Sequence, residues 1–230
     1  MTDSRDAKRK LAAILMADVV GYSRLMGEDE QATLRALKSC RELFGRLCAQ
    51  HHGRVVNAPG DSILAEFGSV VDSVAAAVEI QRQLAGKNRK LPSGRAMQFR
   101  IGINVGDVMV EEDALYGDGV NIAARLESIA EAGGICLSRA AYDQVKGKLP
   151  FEYEYLGEHQ VKNIAEPVRV YRVLPPGGEP PTAQPPTAQA PTNRSTEAKA
   201  SGVPPEKPSI AVLPFVNMSR DPDQEYFADG

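Results

Sequence analysis

Residues 10–174 of this 230-residue chain are predicted to form a mixed α/β domain of the α+β type, with elements in the order β-α-β-β-α-β followed by more helix and strand. Three observations predict it. The run over 10–20 is almost continuously apolar up to Asp18, as in a central strand covered on both faces. Two stretches, 28–50 and 69–85, repeat apolar residues at helical spacing. Between them, two short apolar runs flank a Pro-Gly turn, which signals a hairpin.

The elements follow in order. In the helix over 28–50, Leu34, Leu37, Cys40, Phe44 and Leu47 fall on one stripe. Strands at 54–57 and 62–67 surround the turn Ala58-Pro59-Gly60-Asp61. The helix over 69–85 carries Val71, Val74, Ala75 and Val78 at helical spacing. A strand broken by glycines spans 99–110. A helix over 119–130 has Asp118 as its expected N-cap and Ile122, Leu126 and Ile129 on its buried side. A strand at 135–137, a short helix from Ser138, and strands near 151–155 and 168–173 complete the domain. This order implies a ferredoxin-like sheet with helices on one face.

Composition bounds the function. Hydrophobic residues make up 43% of the chain and charged residues 25%, enough for a packed core. A net charge of −3 excludes a general nucleic-acid-binding surface, so no nucleic-acid partner is expected. It is compatible with a local site that grips a polyanion through metals and a few basic side chains. Cys40, Cys48 and Cys136 form no C-x-x-C pair, and read as buried thiols in a reducing compartment. The polar residues 1–9 are expected to be disordered. The apolar run at 11–17 is too short for a signal core or a membrane span, so the chain reads as cytoplasmic with no membrane segment of its own.

Composition changes at Pro175. Residues 175–208 are rich in Pro, Thr, Ala, Gln and Gly, with P-P-T-A-Q written twice in succession, and read as an extended spacer. The apolar run S-I-A-V-L-P-F-V that follows reads as a buried strand, yet the sequence ends too soon to give it a core. Residues 209–230 are therefore expected to be the truncated start of a further domain, and the chain a fragment of a longer protein.

Four segments carry chemistry. In M-A-D-V-V-G-Y-S, Asp18 ends a buried strand just before a turn at Gly21. In A-P-G-D-S-I-L-A-E-F, Asp61 sits in the hairpin. Taken singly, each acid reads as a turn former or cap. If the first strand pairs with the hairpin, both carboxylates reach one edge of the sheet, and two carboxylates plus substrate phosphates are how Mg²⁺ is normally held. The turn over 19–23 can offer backbone N–H groups to a triphosphate. In L-Y-G-D-G-V-N-I-A-A-R-L-E, Asn121 and Arg125 are four apart and share a helix face, where solvation alone would explain them. In H-Q-V-K-N-I-A-E-P-V-R-V-Y, Lys162 precedes a Glu-Pro turn.

These four segments, in order and at these separations, resemble the motifs of the class III adenylate and guanylate cyclases. The resemblance spans nearly all of residues 10–174. It implies a homodimer that builds shared active sites and takes ATP with two divalent cations, Mg²⁺ or Mn²⁺. By resemblance, Asp18 and Asp61 bind the metals, and the backbone of Val19 adds a ligand. The turn residues Val20, Gly21, Tyr22 and Ser23 contact substrate. Asn121 orients the ribose, Arg125 stabilises charge on the α-phosphate, and Lys162 binds the terminal phosphates. The piece over 207–230 is similar to the opening of the TolB-like region that often precedes tetratricopeptide repeats in bacterial cyclases, which implies protein partners for the missing part.

Two positions depart from the family pattern. Adenylate cyclases of the family read adenine with a Lys four residues before the second metal aspartate and an Asp four residues before the acid of the Y-G-D-G turn. Here those positions are Asn57 and Ala114. The Glu and Cys of guanylate cyclases are absent there as well. Asn57 keeps a donor and an acceptor for a base edge. Ala114 offers nothing polar, although Glu112 or Asp113 substitutes if the register slips. The leading expectation is an adenylate cyclase. The alternatives are a degenerate cyclase domain serving as a dimerising, nucleotide-binding regulatory module, and a cyclase of relaxed or guanine specificity.

Overall fold

A computed structural model describes residues 8–92, 94–111, 114–160 and 167–174. The spacer over 175–208 and the segment 209–230 lie outside the described residues.

The first half runs β1 (Lys8–Val19), α1 (Tyr22–Glu28), α2 (Glu30–Gln50), β2 (Gly53–Asn57), β3 (Ile63–Phe67), α3 (Val70–Asn88) and β4 (Phe99–Glu111). The second half adds β5 (Ala114–Tyr116), α4 (Asp118–Ile129), β6 (Ile135–Ser138), α5 (Arg139–Val145), β7 (Glu152–His159) and β8 (Val168–Leu174). The strands form one sheet in the order β2-β3-β1-β4-β6-β8-β7, with β5 paired to β4. β1 pairs antiparallel with both β3 and β4. The β2-β3-β1-β4 portion, linked through the intervening helices, is the expected ferredoxin-like core, and β6 to β8 extend it.

The core divides by strand parity, because alternate side chains face opposite sides of a sheet. Ala13, Leu15, Ala17 and Val19 of β1 join Phe99, Ile101 and Ile103 of β4 against α2 and α3. There the rings of Phe44 and Phe99 lie 5.0 Å apart, and truncating either to Ala costs about 3–5 kcal/mol. Ala12 and Ile14 face the other way and pack with Leu64, Val108, Leu115 and Ala123 of α4. Helices therefore cover both faces: α4 lies opposite α2 and α3, contrary to the one-face expectation. The alternation of apolar residues reveals a face but not which helix covers it.

Local chemistry moved several boundaries. β1 starts at Lys8, inside the segment expected to be disordered, because Lys8 and Arg9 pair with Val110 and Met109. The helix expected over 28–50 begins at Glu30, since the Asp29 side chain accepts a hydrogen bond from the Ala32 N–H at 2.9 Å and caps it. The turn before it contains the unforeseen α1. On α2, Leu34 is 46% exposed, and the buried stripe runs through Thr33, Leu37, Cys40, Phe44 and Leu47 instead. Asp118 is not the cap of α4 but its first residue. The N-cap is Gly117 at φ 129°, a conformation open to glycine and strained for a side chain. Among the described residues, no helix is long and apolar enough to cross a membrane.

Candidate active site

The pairing of β1 with β3 and β4 places the candidate metal ligands. Ala17 lies opposite Ile63 and Asp18 opposite Arg100. Asp18 thus leaves the sheet beside the β2–β3 turn that carries Asp61. Both its oxygens are held. Ser62 Oγ donates to Oδ1 at 2.8 Å, and Arg100 Nη2 donates to Oδ2 at 3.3 Å. The turn is tied down from α2, where Arg41 donates to the carbonyl of Ala58 at 2.7 Å and also to that of Gly60. The Ser62 N–H closes the turn on the Pro59 carbonyl at 3.1 Å.

Burial pushes the Asp61 carboxyl above its ordinary range, and the negative charge of Asp18 pushes it further, with Arg100 offsetting part of the rise. Two hard-oxygen donors crowded in this way suit a divalent cation, whose charge would relieve their repulsion. Among the described residues, no third His, Cys, Asp or Glu completes a metal-holding group. A cation here would take its remaining ligands from backbone, water or phosphate. Val19, the last residue of β1, turns its side chain into the core, which leaves only its backbone for such a role.

The turn residues are more specialised than the sequence implied. The Val20 N–H is spent on the Gln98 carbonyl at 2.9 Å. Gly21 is the N-cap of α1, so Tyr22 and Ser23 form its first turn, whose N–H groups have no intrahelical acceptor. Tyr22 also packs against the main core.

Asn121 and Arg125 are exposed on the outer face of α4, while Ala123, Leu126 and Glu127 are buried on its inner face. The structure thus brings Asp18 and Asp61 together, but turns Asn121 and Arg125 away from them within the chain. The inner face reaches the site through a residue the sequence reading passed over. Glu127 is 8% exposed, and its Oε1 lies 2.8 Å from Arg100 Nε. Burial pushes its carboxyl up to about 7, with Asp18 and Asp61 adding to the rise and Arg100 opposing it. Arg100, Glu127 and Ser62 are the site residues that the sequence reading missed. The available signal for Glu127 was its helical phase, four residues after Ala123 on the stripe that meets the sheet.

Asn57 ends β2 with its Oδ1 accepting from the Ala58 N–H at 2.8 Å, so part of its acceptor capacity is used locally while both N–H donors of its amide have no bond among those of this turn. Ala114 opens β5 opposite Glu111. Lys162, Glu112 and Asp113 lie outside the described residues. A cleft of about 890 Å³ runs along β4 and the start of α4, lined by Asn104, Asp107, Tyr116, Asp118, Gly119 and Ile122 among others. Neither Asp18 nor Asp61 lines it, so this cleft and the carboxylate pair are separate features of one chain.

Residues 6–174 match the family of the adenylate and guanylate cyclase catalytic domain, and the chain belongs to that family. Over 229 residues it is 45% identical to "Putative adenylate cyclase 3" of Rhizobium meliloti (strain 1021), covering 97% of this chain and 36% of that protein. The chain thus spans about a third of that relative's length. Among solved structures it resembles an adenylate/guanylate cyclase/hydrolase from Silicibacter pomeroyi, at 40% identity and a TM-score of 0.69, covering 73% of this chain and 98% of that one. The adenylyl cyclase CyaB from P. aeruginosa, at 23% identity and a TM-score of 0.64, shares the fold.

Proposed function

We propose that this domain is an adenylate cyclase that converts ATP to 3′,5′-cyclic AMP and pyrophosphate. The observation that carries the reading is the convergence of Asp18 and Asp61 on one sheet edge, with Arg100 beside them. In the reaction the ribose 3′-oxygen bonds to the α-phosphorus, the bond from that phosphorus to the bridging oxygen breaks, and the hydroxyl proton is lost to solvent. Two divalent cations, Mg²⁺ or Mn²⁺, bound by Asp18, Asp61 and the Val19 carbonyl, would lower the pKa of the hydroxyl and neutralise phosphate charge. Ser62 and Arg100 hold Asp18 in place for that role. The N–H groups of Gly21, Tyr22 and Ser23 face the triphosphate; Val20 contributes position rather than a donor.

Asn121 orients the ribose, Arg125 meets the charge growing at the α-phosphate, and Lys162 meets the terminal phosphates. Fixed cations stabilise such charge without reorganising. The outward face of Asn121 and Arg125 supports a site completed by a second copy of the chain, with metals from one protomer and these two residues from the other. We further propose that the domain works in the cytoplasm, and that the spacer over 175–208 leads from it into a TolB-like interaction region.

A second reading has its own support. Asn57 is tied to the Ala58 N–H through its side-chain carbonyl and Ala114 has nothing polar, which favours relaxed base choice or a domain that binds nucleotide without turning it over. Incubating purified protein with ATP or GTP and Mn²⁺ or Mg²⁺, followed by chromatography of the products, separates these. Cyclic AMP from ATP supports the first reading. Absence of any cyclic product with either nucleotide sinks it.

A further inference from the structure

The residues Arg100, Gly102, Asn104 and Gly106 alternate along β4 and therefore share one face, the face under α4. Each meets the helix. Asn104 is buried and donates from Nδ2 to the Gly119 carbonyl at 3.1 Å, at the start of α4. A Cβ on Gly102 would overlap the backbone of Ala123 and Glu127, and one on Gly106 would touch the Cα of Gly119. At the far end, Arg100 reaches Glu127 through Nε and Asp18 through Nη2. One guanidinium is thus shared between a carboxylate on α4 and a carboxylate of the candidate metal pair.

We propose that Glu127 is a positioning residue that acts through Arg100, coupling occupancy of the Asp18–Asp61 cation site to the seating of α4, the helix that presents Asn121 and Arg125. The proposal rests on the reading of these two aspartates as metal ligands. Its physical basis is competition for one cationic group. Without a metal, Arg100 partly neutralises Asp18. A divalent cation arriving there takes over that task, and Arg100 shifts its attraction to Glu127, the other carboxylate within reach. The pair has room to realign: Arg100 Nε and Glu127 Oε1 are both buried and 2.8 Å apart, with the N–H short of the alignment of a full hydrogen bond. The coupling is reciprocal by necessity. Neutralising Glu127 leaves the two aspartates as the strongest nearby partners of Arg100, which then competes harder with the cation.

Mn²⁺ alone is the probe, its uptake by the 230-residue chain followed through the loss of the free-ion paramagnetic resonance signal. Glu127→Gln is expected to weaken Mn²⁺ uptake roughly three- to tenfold, and Arg100→Gln to strengthen it. In the Arg100→Gln background, adding Glu127→Gln should change nothing further. An equal effect in both backgrounds would mean that Glu127 acts by charge alone or by general destabilisation, and overturns the proposal. So does a wild type that takes up no Mn²⁺. Amide hydrogen exchange supplies a second readout: Mn²⁺ should raise protection over 119–129 in the wild type and not in Glu127→Gln. If Glu127→Gln does not fold, Arg100→Gln against wild type still decides, since unchanged or weaker uptake in that variant contradicts the competition. None of these measurements needs nucleotide turnover, so a chain without cyclase activity leaves the proposal standing or falling on its own result.

Discussion

Gly102 of β4 and Glu127 of α4 meet backbone to backbone: a Cβ built on Gly102 would overlap the Glu127 amide nitrogen and the Ala123 carbonyl oxygen. Backbone cannot swing aside as a flexible side chain can, so any larger residue must lift the helix. Gly102→Ala is expected to cost about 1–3 kcal/mol, or roughly 2–4 °C of melting temperature per kcal/mol in a domain of this size. It should lower cyclase activity by more than the stability loss explains, because Asn121 and Arg125 ride on α4. Thermal denaturation alongside activity at a temperature where both proteins are folded checks this. A variant with wild-type melting and turnover would show that the contact is not limiting.

Asp18→Ala and Asp61→Ala are each expected to reduce cyclisation by at least about 10³-fold while leaving the domain folded. The pair is a like-charge contact that burial makes worse, as the raised Asp61 carboxyl records. Removing Asp61 should therefore leave thermal stability equal or higher, whereas removing Asp18 also gives up its bonds from Ser62 and Arg100. Circular dichroism melting and product chromatography test the two halves separately, and appreciable turnover in either folded variant refutes the metal assignment.

The outward placement of Asn121 and Arg125 makes the number of chains per site measurable. Asp18→Ala and Arg125→Ala homodimers should both be inactive. Mixed and allowed to exchange subunits, they should recover about a quarter of wild-type activity, since half of the dimers are mixed and each holds one intact site of two. No recovery in a mixture shown by mass spectrometry to have exchanged contradicts the shared site.

Much of this was legible in the sequence, for identifiable reasons. Strands β1, β3 and β4 are buried on both faces and show as apolar runs, and the long helices α2 and α3 repeat their apolar residues over enough turns to be read. Asp18 could be singled out because it interrupts an apolar run, and Asp61 because it follows the Pro-Gly turn of the hairpin. Helix α1 was invisible, since its seven residues bury only Leu25 and make no stripe. Strand β5, three residues long, lacks any period to detect. Arg100 and Glu127 were missed for a different reason. Their meaning lies in a contact across 27 positions between a strand and the helix laid on it, and periodicity carries no information about which charged residues will face each other.

Glu66 ties three strands together and gives the fold a pH dependence with a defined sign. Lys10 of β1 lies 2.8 Å from its Oε2 and Arg54 of β2 lies 2.7 Å from its Oε1. Burial alone would raise this carboxyl, but the hydrogen bonds and charges of Lys10 and Arg54 outweigh it, and its pKa falls below the ordinary glutamate value of 4.5. The unfolded chain then binds the proton more readily, so the stabilisation is present above about pH 4.5 and fades as pH falls through the lower folded value. Glu66→Gln should cost about 1–3 kcal/mol at pH 7. Its difference from wild type should shrink on acidification below pH 4.5. Urea denaturation across that range checks it, and a difference that stays constant or grows toward low pH removes Glu66 from this role.

Base choice is the property most exposed to the two departures from the family pattern. Phosphate and metal contacts are the same for ATP and GTP, so discrimination must come from the edge of the base. A site that hydrogen-bonds the base rejects the wrong one because mismatched buried polar groups go unpaired. Here the Asn57 carbonyl already accepts from the Ala58 N–H, which fixes the side chain locally and leaves one lone pair and the two amide N–H donors for a base edge, and Ala114 contributes no polar atom. ATP is expected to be the better substrate, with weak discrimination and a high Michaelis constant. Asn57→Lys combined with Ala114→Asp should sharpen the preference, the lysine donating to N1 of adenine and the aspartate accepting from its amino group, each worth about 1 kcal/mol. That corresponds to a rise of roughly tenfold or more in the ATP-to-GTP ratio of specificity constants. The ratio is measured for wild type and double variant under the same metal. A wild type already stringent for ATP, with a double variant no better, would show that other residues read the base and that neither Asn57 nor Ala114 occupies a base-reading position.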